Sequence, residues 1–266
     1  MEYDINGDRI YASNAGIEFS PEQETIIFMH GAGMDHTIWV LFSRFFARNG
    51  FNVLAIDLPG HGKSTGDVLV SIEQMADWLV GFLEISDISP ATLIGHSMGS
   101  LIALETASRS ADKISKLILL GTACPMQVGE PLLSAAKKNK HAAVDMIMLF
   151  GHAYSSQLGG NPVAGVNIVN SSMRLLERSL DGSLYKDLNA CNEYTNGLEA
   201  AAKISVPSTL ILGDQDKMTP PPAALPLIQT LSDPTLIKLD NCGHMMLSEQ
   251  PEQVHQALVS ALNRSA

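Results

Sequence analysis

A serine set between two glycines, Gly95-His96-Ser97-Met98-Gly99, follows the apolar run Ala91-Thr92-Leu93-Ile94 and opens the helix-forming run Ser100-Leu101-Ile102-Ala103-Leu104-Glu105. A turn this sharp between strand and helix drives its central residue toward strained dihedrals, and a Cβ at either flanking position would strike the strand or the helix. Gly95 and Gly99 supply that room. The helix that follows aims its unpaired N-H groups and the positive end of its dipole at the space beside Ser97, where an oxyanion would form. Short glycine-serine-glycine stretches also occur in plain turns, but a strand before and a helix after point to a serine nucleophile.

A serine hydroxyl is a weak nucleophile, so it needs a base near neutrality and a third group that fixes the base's tautomer. Of the eight histidines, His96 adjoins Ser97 on the turn and is expected to point elsewhere, and His30 and His61 sit in glycine-rich loops. His36, His141, His152 and His255 lie in segments that read as helix or cap. His244 stands apart, because Asn241-Cys242-Gly243-His244 directly follows the strand-like run Thr235-Leu236-Ile237-Lys238-Leu239. That places it at the carboxyl edge of a sheet, where open α/β sheets bind ligands. Between serine and base, Leu210-Ile211-Leu212-Gly213-Asp214-Gln215-Asp216-Lys217-Met218-Thr219-Pro220 is another apolar strand running into carboxylates. The order Ser97, Asp216, His244 supplies nucleophile, orienting acid and base, with Asp214 and Asp240 as neighbouring candidates for the acid.

Two more stretches have the same strand-then-loop character, Phe28-Met29-His30-Gly31-Ala32-Gly33 and Asp57-Leu58-Pro59-Gly60-His61-Gly62-Lys63-Ser64. With the elbow and the acid and base loops they make five signatures in one order, and over nearly its whole length the chain resembles the α/β-hydrolases. The resemblance implies that the backbone N-H of Met98 and that of Ala32 or Gly33 would hold the oxyanion. It also implies an acid three residues past Gly213, which favours Asp216, and no metal or organic cofactor.

Strand and helix signals alternate, as a doubly wound α/β sheet demands. Tyr3 to Ile5 and Arg9 to Ala12 flank the turn signal Asn6-Gly7. Thr25 to Met29, Asn52 to Ile56, Ala91 to Ile94, Leu117 to Leu120, Thr209 to Leu212 and Thr235 to Leu239 are apolar runs suited to buried parallel strands, giving a mostly parallel sheet of eight. Ile38, Leu41, Phe42, Phe45 and Phe46 read as one core-facing helical stripe, and a Ser71-x-x-Gln74 capping box opens another. The alternation fails over 124–205, too long for a structureless loop, so a mostly helical cap is expected there, inserted into a core of 1–123 and 206–266. Within it Met146 to Phe150 and Met173 to Leu176 read as helical faces, with a glycine-rich loop over 159–165 between them.

The net charge of -11, and the absence of any Lys/Arg run longer than Lys137-Lys138, argue against nucleic acid or anionic membranes as partners. Cys124, Cys191 and Cys242 lack zinc-binding spacing and read as free thiols. With an acidic start, no secretory signal and no apolar run of spanning length, they lead to the expectation of a cytoplasmic protein. Met34, Met98, Met218, Met245 and Met246 lie within two residues of a proposed site residue, so flexible thioethers are expected to wall an apolar pocket. Met34, Met218 and Met245, with Met148 from the cap, are the expected substrate contacts. No arginine stands in the catalytic loops, although Arg174 and Arg178 in the cap could clamp an anion. The expected function is a serine hydrolase acting on small-molecule carboxylic esters of small to medium apolar acyl groups. C-C bond hydrolysis or thioester hydrolysis on the same residues is an alternative, as is a slow-turnover ligand receptor of the same fold.

Overall fold

A computed structural model describes all residues except 89, 161, 163, 164, 180 and 264–266. Its strands are β1 (Glu2–Ile5), β2 (Asp8–Ser13), β3 (Thr25–Met29), β4 (Asn52–Ile56), β5 (Ala91–His96), β6 (Ile114–Leu120), β7 (Ser208–Gly213) and β8 (Thr235–Leu239). They form one sheet in the order β1-β2-β4-β3-β5-β6-β7-β8. The first two pairings are antiparallel and the rest parallel. Asn6 and Gly7 both take positive φ, 56° and 90°, as a two-residue hairpin turn with the strands' own twist requires.

The central strands β3, β4, β5 and β7 are buried at every residue, which is why they read as unbroken apolar runs. Three helices accompany the first half of the sheet, α1 (Val40–Arg48), α2 (Ile72–Ile85) and α3 (Met98–Arg109). Between β6 and β7 come α4 (Glu130–Lys137), α5 (Ala142–Gly151), α6 (Tyr154–Gln157), α7 (Ile168–Glu177), α8 (Ser183–Glu193) and α9 (Gly197–Ala201). The chain closes with α10 (Leu225–Thr230), α11 (Met246–Glu249) and α12 (Pro251–Leu262). Alternate strand residues face opposite layers: Phe28, Ile94 and Ile118 meet Phe42, Phe46, Val254 and Leu258 from α1 and α12. Ile27, Leu93 and Leu117 meet Leu79 and Leu101 from α2 and α3. Each such side chain contributes roughly 1.5–3 kcal/mol by leaving water.

Helix α1 departs from the expected stripe. Phe42 and Phe46 are buried, but Leu41 is 60% and Phe45 37% exposed. A short 3-10 turn, His36–Trp39, precedes the helix and is capped by Asp35, whose Oδ1 accepts the N-H of Thr37 at 2.8 Å. That turn delivers Trp39 to the core, and at about 100° per residue positions 42 and 46 then align inward while 41 and 45 swing out. At α2, Ser71 Oγ accepts the N-H of Gln74 at 3.2 Å, but Gln74 Oε1 accepts from Val70 rather than Ser71, so the box is displaced by one residue.

The inserted segment is helical, and its Leu133, Val144, Ile147, Leu176 and Leu184 form an apolar cluster together with Met34 and Met245 from loops of the core. Ala190, Tyr194 and Ala200 pack instead with the α2/α3 layer, where the Tyr194 hydroxyl donates to Glu105 Oε2 at 2.5 Å. Asn161, Val163 and Ala164 of the expected glycine-rich loop lie outside the described residues. Among the described residues no helix is long and apolar enough to cross a membrane.

The strand order fixes where chemistry can occur. From β3 the chain steps to β4 on one side, then returns to β5 on the other. The loops leaving β3 and β5 therefore part at the carboxyl edge and open a crevice there.

Candidate active site

Ser97 stands at that crevice with φ 53° and ψ -120°, a left-handed conformation costly for a residue with a Cβ. Its surroundings hold it there. The Ser97 N-H donates to the Leu120 carbonyl at 2.9 Å, and its own carbonyl accepts the Ser100 N-H at 2.8 Å and the Ser100 hydroxyl at 2.6 Å. A Cβ on Gly95 would overlap the Gly99 carbonyl, and one on Gly99 would overlap the Met29 carbonyl. The two glycines are thus required by backbone contact, across the elbow and to β3.

His244 and Ser97 line one cavity of about 310 Å³. Behind the imidazole, Asp216 Oδ2 lies 2.8 Å from Nδ1. Asp216 Oδ1 accepts the N-H groups of Met218 and Thr219, each at 2.8 Å, and the Thr219 hydroxyl donates to Oδ2 at 2.7 Å. Burial opposes the charge on Asp216, but His244 and the Thr219 hydrogen bonds outweigh it and bring the carboxyl down to about 2. Asp214 is turned elsewhere, accepting the Cys242 N-H at 3.0 Å, and Asp240 is exposed. Thr219 was missed by sequence reasoning; its place three residues after an aspartate in a loop is the local signal for such a turn.

The loop carrying His244 is pinned from below by Glu249, which is fully buried. Its carboxylate accepts the Gly243 N-H at 3.1 Å and the Ala153 N-H at 2.7 Å, while the Met245 N-H donates to the Gly151 carbonyl at 2.9 Å. Burial raises the Glu249 pKa despite those donors. From the other side His96 Nε2 donates to the His244 carbonyl at 2.8 Å, and His96 is neutral because burial and the nearby His244 bring it down to about 3. His30 is neutral as well: Nδ1 donates to the Gly31 carbonyl at 2.8 Å and Nε2 accepts the Leu58 N-H at 3.2 Å. Burial and the neighbouring His61 bring His30 down to about 4.

The expected oxyanion donors are placed unequally. The Met98 N-H is the first of α3 and has no carbonyl behind it in the helix, and Ala32 lines the cavity. Gly33 does not share that freedom, since its N-H donates to Asp187 Oδ2 at 2.8 Å.

Of the expected methionine contacts, Met218 lines the catalytic cavity, joined by Met126 and Met146, which sequence reasoning did not select. Met34 and Met245 line a second cavity of about 610 Å³ that reaches His96. Met148 is not a contact of the catalytic cavity: Met146 and Phe150, four apart on α5, face it, and Met148 is turned into the cluster of Val144 and Leu176. Met98 and Met246 are core residues. Arg174 and Arg178 reach the larger cavity, but Arg174 pairs with Glu177 at 2.6 Å and Arg178 with Asp35 at 2.8 Å. Asp35, His36 and Asp57 come together in ligand-like fashion. Their oxygens are already committed, Asp57 to His36 and Lys63 and Asp35 to Thr37 and Arg178, so the group ties loops together.

Residues 24–251 match the family described as the alpha/beta hydrolase fold. Over 257 residues the chain is 27% identical to the 2-hydroxy-6-oxononadienedioate/2-hydroxy-6-oxononatrienedioate hydrolase of Burkholderia vietnamiensis, spanning 91% of this chain and 88% of that one. Over 245 residues it is 26% identical to the pimeloyl-(acyl-carrier protein) methyl ester esterase of Aromatoleum aromaticum, spanning 85% and 93%. Among solved structures, the enol-lactonase from Burkholderia xenovorans superposes with a TM-score of 0.86 at 22% identity, covering 99% of this chain and all of that one. Because the match runs from just before β3 to the first residue of α12, and so takes in the elbow and both loops that face it, the chain belongs to the α/β-hydrolase family.

Proposed function

We propose that the protein is a serine hydrolase of carboxylic esters with small to medium apolar acyl groups, working through an acyl-enzyme. One observation carries the reading: His244, paired to Asp216 at 2.8 Å, shares an apolar cavity with Ser97. With Nδ1 donating to Asp216, Nε2 is left as the acceptor that takes the Ser97 proton as Oγ attacks the ester carbonyl. The N-H groups of Met98 and Ala32 receive the oxyanion, each such donor supplying roughly 2.7–4 kcal/mol. His244 then returns its proton to the leaving alcohol, and water repeats the sequence on the acyl-enzyme. The cavity walls, among them Val128, Leu132, Met146 and Phe150, suit an acyl chain, with Gln127 and Lys217 as polar groups among the lining residues. Three buried unpaired cysteines support a reducing, cytoplasmic setting.

The test combines fluorophosphonate labelling with a panel of p-nitrophenyl esters, thioesters and vinylogous diketones. Labelling of the native protein, its loss in Ser97→Ala, and fastest turnover of esters are the expected results. Rapid labelling with negligible turnover of every substrate would favour a ligand receptor.

A further inference from the structure

Helix α8 belongs to the inserted segment, yet one of its side chains reaches the loop after β3. Asp187 has 0% exposure, and a single oxygen, Oδ2, accepts both the Gly33 N-H at 2.8 Å and His61 Nε2 at 2.9 Å. The other ring nitrogen of His61, Nδ1, lies 3.0 Å from the Pro59 carbonyl. Both nitrogens thus face acceptors, and only the imidazolium donates to both. Burial works against that cation, but the Asp187 carboxylate outweighs it and raises the His61 pKa. The other titratable groups facing His61 are Asp57, which favours the cation, and His30, a neutral ring 4.9 Å away. A buried ion pair therefore lies where the inserted helices meet the core.

The contact reinforces a close fit. Gly33 has φ 67°, and a Cβ there would come within 2.9 Å of Leu184 and 3.3 Å of Leu176. The loop is thus pressed under α7 and α8 while Asp187 grips its N-H. Gly31 and Gly33 flank Ala32, so this stretch has little stiffness of its own and takes its shape from what holds it. Fixing the Gly33 N-H fixes the peptide plane between residues 32 and 33, which shares the Ala32 Cα with the peptide that carries the Ala32 N-H, so anchoring one restrains the other through the two dihedrals of Ala32.

We propose that Asp187 is a positioning residue of the hydrolytic reaction, holding Gly33 so that the Ala32 N-H stays aimed at the oxyanion and making the oxyanion hole complete only while α8 is seated on the core. This rests on the ester-hydrolase reading. Asp187 does not touch substrate, so its loss should lower kcat and leave KM nearly unchanged, whereas a residue that merely seated the cap would show its loss in KM and in melting temperature.

The experiment measures kcat and KM for the best p-nitrophenyl ester with the native protein, Ser97→Ala, Asp187→Ala and Asp187→Asn, each checked by thermal melting. Loss of one oxyanion donor lowers kcat by roughly 10²–10³, and a misdirected donor should cost less. We expect kcat to fall about 10- to 100-fold in Asp187→Ala at a KM within threefold, with Asp187→Asn in between because its amide oxygen still accepts. If Asp187→Ala does not fold, Asp187→Asn carries the test alone, and an unchanged kcat in it overturns the proposal. Retained kcat in Asp187→Ala, or a rise in KM without a fall in kcat, overturns it as well. A native protein that turns over no ester would sink the functional reading, and this proposal with it.

Discussion

The Thr219 hydroxyl donates to Asp216 Oδ2 at 2.7 Å, on the same oxygen that faces His244 Nδ1 at 2.8 Å. The carboxylate is thereby held against the imidazole, with its second oxygen tied to the N-H groups of Met218 and Thr219. A hydrogen bond to a charged group contributes about 1.5–3 kcal/mol. Thr219→Val keeps the shape and deletes the bond, and kcat should fall roughly tenfold with little change in KM. Steady-state kinetics on one ester decides it, and an unchanged kcat would mean that the backbone donors suffice.

Asp216 and Asp214 are two residues apart and should behave very differently. Asp216→Asn removes the charge that offsets the imidazolium and disturbs its tautomer, so kcat should drop by roughly 10³ to 10⁴. Asp214 holds the Cys242 N-H, a structural bond at 3.0 Å, so Asp214→Asn should cost less than about tenfold. The reverse ranking would move the acid away from Asp216.

Glu249 bridges the His244 loop and the start of α6 through the Gly243 and Ala153 N-H groups. In Glu249→Ala both donors are left buried without an acceptor, at about 1–3 kcal/mol each. The urea midpoint should shift by an amount equivalent to a few kcal/mol, and kcat should fall because His244 is no longer held from below. A midpoint equal to that of the native protein would show that water replaces the carboxylate at no cost.

His30 and His96 set the acid limit of the fold. Their folded pKa values, about 4 and about 3, lie below the ordinary histidine value of ~6.5. As the pH falls below ~6.5 the unfolded chain takes up protons that the folded one refuses. Stability is therefore full above that value and is lost toward pH 4, by on the order of 1 kcal/mol per pH unit for each histidine. Asp216, brought down to about 2, adds loss of the same sign below pH ~4. The raised His61 acts on the other side, its contribution disappearing as the pH rises through its folded value. Urea midpoints at pH 7, 6 and 5 should decline progressively, and His96→Asn should flatten the slope. A midpoint constant from pH 7 to 5 would contradict neutral buried histidines.

Cavity size predicts acyl preference. Each methylene taken into the apolar wall contributes up to ~0.8 kcal/mol to the transition state until the space of about 310 Å³ is filled. kcat/KM across acetate to dodecanoate esters should pass through a maximum at short to medium length, and Met146→Trp should move that maximum to shorter chains. Equal rates along the series would show that the acyl group does not enter the cavity.

Much of this was legible in the chain itself, because the responsible forces act over a few residues. The elbow follows from backbone crowding around Ser97, the hairpin from two positive φ angles at Asn6 and Gly7, and the buried strands from unbroken apolar runs. Chain order and the carboxyl-edge rule brought Ser97 and His244 to one place. Other features were decided only when distant segments met. Asp216 is singled out from Asp214 by an imidazole 28 residues away, and the Gly33 N-H is taken by a carboxylate 154 residues away. Local sequence also does not say which face of α1 turns to solvent, since the 3-10 turn before it sets the phase and leaves Leu41 and Phe45 outside. The methionines divide between the core and two cavities for the same reason. Backbone sterics and periodicity are properties of neighbouring residues, whereas a hydrogen-bond partner, a buried charge or a cavity wall belongs to whatever the tertiary fold brings alongside.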